Sequence, residues 1–503
     1  MKHNNHIIRL ANLDLPGTSL ALSMTTSTQN PRGSIRMTRS PGSRDSRSKR
    51  NATRVRKSDQ SSGTDLLSVL PLNRQPTDHA TDLAFRWKSW GDCLCPGEPI
   101  PYLCGEYLEV IPQRVGVNRA FDLGLECAIV STVAFANRTQ ENYIKAYELN
   151  AKALIVMRDA MALERASKRY RTDVLLTTFL LYFAESLLNT YNASGRIHHE
   201  GGTRLLMEMT KHGTECDDDV IKIFWACVGR EFLPAVLTGT DSVFDTPAWL
   251  QYSIPPFAHP NYPQPEFVDR YNKERYIRLP RLIRLIRELR HASHDHNLRK
   301  DVLALAKDLY QENLEDWVEQ LFVLGLIWWK PTSGSAPSDA SSRICHTAQL
   351  GFASSRIFMR FTAYYELRCL ICGCILTLCD LSADSRSPLI SGFDASAVAE
   401  QDTYAARQIA ACEEWALEDA SPLRFRVMWL FMPVLYALGS WQRLTLRANN
   451  NGQQQQQQQE KLAHGMEQWS LNFIRAFEGR WGGRPWTPAT IKHFHRVLIG
   501  GDL

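Results

Sequence analysis

Residues 361–381 read FTAYYELRCLICGCILTLCDL, and the fold turns on how Cys369, Cys372, Cys374 and Cys379 are read. Four-cysteine zinc sites pair C-x2-C elements across a loop and draw the second pair from elsewhere in the chain. Here the spacing is C-x2-C-x-C-x4-C within one uninterrupted helical pattern. At about 100° per residue, Cys369 and Cys372 share a face and Cys374 points away from it. One helix cannot wrap a tetrahedral ion with these four thiols. Free cysteine packs as a small hydrophobe, so the stretch predicts a buried core helix and no metal.

Helical periodicity continues on both sides. Residues 119–136 and 139–164 repeat apolar positions at helical spacing, the second through Tyr143, Ala146, Tyr147, Ala151, Leu154 and Met157. Residues 173–188 are apolar nearly all round behind Thr172 or Asp173 as N-cap, which predicts a buried helix. Further helices are predicted near 198–210, 217–237, 276–292, 299–328, 355–381, 399–417, 424–446 and 460–478. No period-two strand pattern stands out, so the body is expected to be all-α. Five prolines in 254–265 predict an extended crossing, PTSGSAPSDASSR at 331–343 a flexible loop, and NNNGQQQQQQQ at 449–459 a surface insertion.

Charge divides the chain. Residues 31–57 hold ten Lys/Arg against the single acid Asp45. A +9 segment therefore precedes a body of −4 in a chain of net charge +5. Residues 1–80 lack a sustained apolar period and are expected to be disordered, with the all-helical domain filling 81–503. The basic residues Arg44, Arg47, Lys49, Arg50, Arg54, Arg56 and Lys57 suit nuclear import or phosphate contact, which confers affinity without sequence choice. The Ser/Arg-rich, acid-poor start also suits a mitochondrial presequence. No secretory h-region is visible, and the longest apolar runs fall short of the ~20 residues of a spanning helix. A soluble intracellular protein, with reduced thiols and no membrane partner, is expected.

The other chemistry-bearing stretches have plain readings. Cys93, Cys95 and Cys104 lack a fourth ligand. HASHDH at 291–296 brings His291, His294 and Asp295 close on a helix end, where histidine is also favoured by the dipole. Asp217, Asp218 and Asp219 are consecutive, unlike the Asp-Asp-x-x-Asp of magnesium-dependent terpene synthases, and suit a helix N-terminus. RLPRLIRLIRELR at 278–290 repeats arginine every third residue beside an apolar stripe and reads as a solvated face. No phosphate loop, nucleophile elbow, H-E-x-x-H or dinucleotide fingerprint is present. No cofactor is expected.

Several short patterns then recur in a meaningful order. They are Leu123-Gly124-Leu125 with Ala128-Ile129 and Ala134; Ala146-Tyr147, Asn150-Ala151 and Leu154; and Asp173-Val174-Leu175-Leu176 leading a buried helix. His198-His199-Glu200-Gly201-Gly202 before Arg204-Leu205-Leu206 comes next, and Phe224-Trp225 through Arg230 follows. Together they resemble the regulatory domain of fungal zinc-cluster transcription factors, with Asp173, His198, Gly201 and Arg230 at motif positions and Gly202 where the family usually has alanine. The resemblance implies a multi-helix regulatory domain and a non-enzymatic, nuclear regulator of transcription. It implies contacts with protein partners of the transcription machinery, a homodimer being one option, and leaves ligand sensing open. The family's six-cysteine DNA-reading cluster has no counterpart, because the first 92 residues contain no cysteine. DNA contact is then expected through the basic tail alone. The alternative is an all-α enzyme or carrier with a buried site near His198, His199 and Arg230.

Overall fold

The computed structural model describes residues 78–94, 108, 110–167, 171–188, 201–204, 206–207, 218–253, 265–292, 294–330, 349–384, 392–419, 424–448, 453–481 and 486–503. The basic tail, the proline crossing before Pro265, the 331–343 loop and the pair Cys95 and Cys104 lie outside these residues.

Helices make up nearly all of the described chain. Helix α1 (Asp78–Leu94) is followed by the short α2 (Ile111–Arg114), then α3 (Arg119–Asn137), α4 (Gln140–Ser167), α5 (Thr172–Leu188) and α6 (Asp218–Thr238). Asn118 caps α3 by accepting from Ala120 N, and Arg138 closes it in the left-handed region. Helices α3, α5 and α6 share one apolar core with α1, built on Leu125, Leu176, Phe179, Phe224 and Trp87.

The second half is built around α11 (Ser355–Asp384), which contains the four cysteines. One side of α11 (Phe358, Phe361, Tyr365, Cys369) packs with α12 (Ala395–Ala410) and α14 (Phe425–Ala448). The other side (Leu367, Ile371, Cys374, Leu378) packs with α8 (Pro265–His291), α9 (His296–Gln311) and the C-terminal helix α16 (Pro488–Leu498). Cys369, Cys372 and Cys374 are fully buried, as the core reading of the stretch requires. Gly373 in its centre is a close-approach position. A Cβ there would stand 2.8 Å from Ile499 Cγ2 and 3.0 Å from Arg443 Cζ. Arg443 uses that gap to donate to the Cys369 carbonyl at 3.1 Å while pairing with the buried Asp402 at 2.8 Å, tying α11, α12 and α14 together.

Among the described residues, Arg119–Asn137 and Ser355–Leu381 are long and apolar enough to cross a membrane, contrary to the count from unbroken apolar runs. Their windows are 72% and 94% buried within the protein, so both serve as core helices.

Two expected helices break. The stretch 299–328 divides into α9, then α10 (Glu315–Val323), then strand β1 (Ile327–Lys330). Long-range partners interrupt the helix between α9 and α10: the Glu312 carbonyl accepts from Tyr271 Oη, and Leu314 N donates to Tyr364 Oη. Gly325, at φ 67°, ends α10. Its N–H donates to Phe322 O, and Leu326 N donates to Leu321 O, a Schellman closure. Strand β1 then pairs antiparallel with β2 (Gln349–Phe352), Trp328 opposite Gly351, so the body is not strand-free. The stretch 399–417 divides into α12 and α13 (Glu413–Leu417). The glutamine run expected as an insertion is instead helical from Gln453 and opens α15 (Gln453–Trp481).

Candidate functional site

Two of the motif positions, Asp173 and Arg230, bear on α5. Asp173 sits buried in its first turn, where a carboxylate favours the helix N-terminus. Arg114 donates to Asp173 at 3.1 Å and to Asp219 at 2.6 Å, so one guanidinium joins the starts of α5 and α6. Arg171 adds a second contact to Asp173 at 2.6 Å. Gly201 and Gly202 open the helical residues 201–204, and a Cβ on Gly202 would fall 2.7 Å from Thr178 Oγ1 on α5. The Arg230 guanidinium, on α6, lies 4.9 Å from the Tyr182 ring centre and 6.0 Å from that of Phe179, both on α5. Gly124 of α3 approaches α5 at Thr177. These groups are engaged with one another and hold α5 in place. His198 and His199 lie outside the described residues, so of the alternative buried site only Arg230 is placed.

The arginine row of α8 is not a solvated face. Arg278 pairs with Glu274 and Asp308, and Arg281 lies 3.3 Å from the buried Asp245. Arg284 grips Asp241 with two nitrogens and pairs with Glu288. Arg287 is buried and donates to two main-chain carbonyls, Gly501 at 2.9 Å and Val497 at 2.7 Å, and Arg290 donates to Gly500 O at 2.7 Å. A row that winds around its helix can meet partners on several sides, and here it meets the 241–245 turn, α9 and the C-terminal residues. Burial pulls the Arg287 guanidinium down to about 10.

HASHDH is not one helical cluster either. Helix α8 ends at His291, and Asp295 caps α9 by accepting from Asn297 N and Leu298 N. His291 instead faces Asp502 at 3.3 Å. Asp218 and Asp219 open α6, as the helix-start reading expects. Among the described residues no group of three His, Cys, Asp or Glu is placed to hold a metal ion. Burial pushes the Cys372 and Cys374 thiols up to about 12, which suppresses the reactive thiolate.

An open cleft of about 520 Å³, not anticipated from the sequence, lies where α9, α10 and α12 meet. Its walls are Tyr310 at the end of α9, Glu315 at the start of α10, and Ala397, Glu400, Gln401 and Tyr404, one stripe of α12 at spacings of three and four. Two buried phenols hold Glu315: Tyr364 Oη donates to Oε1 at 3.0 Å and Tyr365 Oη to Oε2 at 3.3 Å. The tyrosines come from AYYE of α11, adjacent in sequence to the cysteines. The stripe of α12 can be read at helical spacing, but the residues it faces are distant in the chain.

One buried acid lies deeper. Tyr276 donates to Glu366, and burial lifts the Glu366 carboxyl to about 8 despite that bond.

No family model, no curated protein and no solved structure matches the chain.

Proposed function

We propose that this chain is a non-enzymatic regulator of transcription, acting through protein contacts. The observation that supports the reading is that, of the motif positions, Asp173 opens α5 and Arg230 packs against the Tyr182 and Phe179 rings of the same helix. Both positions belong to the motifs that resemble the regulatory domain of fungal zinc-cluster factors, and here both bear on one buried helix. In this reading the Arg44–Lys57 segment serves nuclear import and phosphate contact, and the helical body recruits partners of the transcription machinery.

The test tethers the full chain to a heterologous DNA-binding domain beside a reporter gene in a fungal host. A reproducible change in reporter output supports the reading. Unchanged output with the fusion present in the nucleus overturns it. In parallel, removal of residues 32–57 is expected to reduce nuclear accumulation, and unchanged accumulation removes the tail's assigned role.

A further inference from the structure

The cleft between α9, α10 and α12 has three properties that structural packing does not require. First, its carboxylates lack ionic partners. Glu312 pairs with Arg275 and Asp308 with Arg278, yet among the described residues neither Glu315 nor Glu400 has an ion pair. Second, Glu315 is held in place without being neutralised. Each of its oxygens takes one phenol hydrogen bond from a buried tyrosine, which fixes the carboxylate and leaves its charge and remaining lone pairs available. Third, the wall is aromatic. Tyr404 is 43% exposed, and its ring meets Tyr365 edge-on at 5.9 Å, so its orientation is set from below.

Burial, above all, raises the Tyr404 and Tyr310 phenols; Glu315 and Glu319 add to this at Tyr404 against the hydrogen bond from Tyr365, and Asp394 adds to it at Tyr310 against Arg368. Arg368 is buried behind Tyr310, with its guanidinium 4.8 Å from that ring centre and bonded to the Tyr310 carbonyl. Aromatic rings beside fixed carboxylates are the usual means of recognising ammonium and guanidinium groups. The volume lies within the range of small-ligand sites, about 300–1,000 Å³.

We propose that this cleft binds an organic cation, its ammonium or guanidinium head taken by Glu315 and Glu400 and its carbon skeleton lying against Tyr404. The head exchanges water for two carboxylates and a ring face. The open side admits either a free amine or a basic side chain. The proposal stands on the cleft's own geometry, so failure of the reporter test leaves it intact, and its failure leaves the regulatory reading intact.

The test is calorimetric titration of the full-length protein with choline, using 3,3-dimethylbutan-1-ol as the neutral isostere. Choline is expected to bind saturably and more weakly as salt rises, and the alcohol at least about tenfold more weakly. The double variant Glu315→Gln/Glu400→Gln should lower choline affinity about tenfold or more. Should that variant not fold, Tyr404→Leu against Tyr404→Phe tests the ring: affinity is expected to drop for leucine and persist for phenylalanine. Absent saturation at tens of millimolar choline, equal binding of the alcohol, or unchanged affinity in the folded variants overturns the proposal. A further arm replaces Arg44, Arg47, Lys49, Arg50, Arg54, Arg56 and Lys57 by glutamine. Tighter choline binding then assigns the cleft to the chain's own basic segment, and unchanged binding assigns it to a free cation; both uphold cation recognition.

Discussion

Arg287 Nη2 donates to the carbonyl of Val497 at 2.7 Å, a bond between residues 210 positions apart that closes the last helix onto α8. Its Nε meets Gly501 O, and Gly500, at φ 84°, packs its bare Cα against Ile286. The C-terminal residues are therefore built into the core of the second half.

Arg287→Met keeps the length of the side chain and removes both bonds. It leaves the Gly501 carbonyl without the Arg287 donor and the Val497 carbonyl with Gly500 N alone, but relieves a buried charge, so the balance is expected to be a loss of about 2–4 kcal/mol. Arg290→Met, with one part-buried bond, should cost about 1 kcal/mol. Urea denaturation measures both, and hydrogen exchange over 488–503 should rise in the first far more than in the second.

Gly202→Ala would place a methyl 2.7 Å from Thr178 Oγ1 and 3.2 Å from Phe179 Cζ. An overpacking cost of about 1–3 kcal/mol is expected. Thr178→Ala removes the colliding oxygen, so the double variant should lose less than the sum of the single ones. Additive losses in a double-mutant cycle would show that α5 and the 201–204 turn do not meet as described.

Stability against pH carries two opposite contributions. Burial and the Arg443 charge hold His495 down at about 4, although its bond to the Leu435 carbonyl opposes this. The unfolded chain takes up that proton near 6.5, so stability falls as pH drops from 6.5 towards 4, by about 3 kcal/mol in all. Glu366 stays protonated in the fold up to about 8 but ionises near 4.5 when unfolded. Its contribution therefore falls as pH rises from 4.5 to 8, by a few kcal/mol. Glu366→Gln retains a hydrogen-bonding partner for Tyr276 and cannot ionise. It should match the native protein near pH 5 and exceed it at pH 8.5 in chemical denaturation, whereas parallel profiles would contradict the buried acid.

Thiol chemistry separates the four cysteines of the opening stretch. Cys369, Cys372 and Cys374 are at most 1% exposed, while Cys379 is part-exposed. Alkylation of the native protein, read by peptide mass spectrometry, should modify Cys379 first and the other three only on denaturation. Early modification of Cys372 or Cys374 would mean that α11 is not a core helix.

The helical nature of the body is legible because apolar residues recur at helical spacing over long stretches, and because capping residues such as Asn118 and Asp394 stand beside them. The cysteine stretch is legible for a geometric reason: one helix cannot turn those four side chains to a single point. The arginines of α8 are not legible in the same way. Sequence shows that they wind around a helix, but whether each meets water, a carboxylate or a carbonyl depends on residues 30 to 214 positions away. The break at Glu312 shares that cause, since its partners Tyr271 and Tyr364 lie on other helices. The strand β1 does not, because the glycine that ends α10 stands in plain view at 325.

Sequence by itself thus determined the class of element, the apolar faces and the separation of a basic segment from a mildly acidic body, since these depend on neighbours within one or two turns. Tertiary structure alone decided which buried charges pair, that Gly373 admits Arg443, and that Tyr364 and Tyr365 present Glu315 to an aromatic cleft. Those outcomes depend on which helices become neighbours, a choice made by the packing of the whole core.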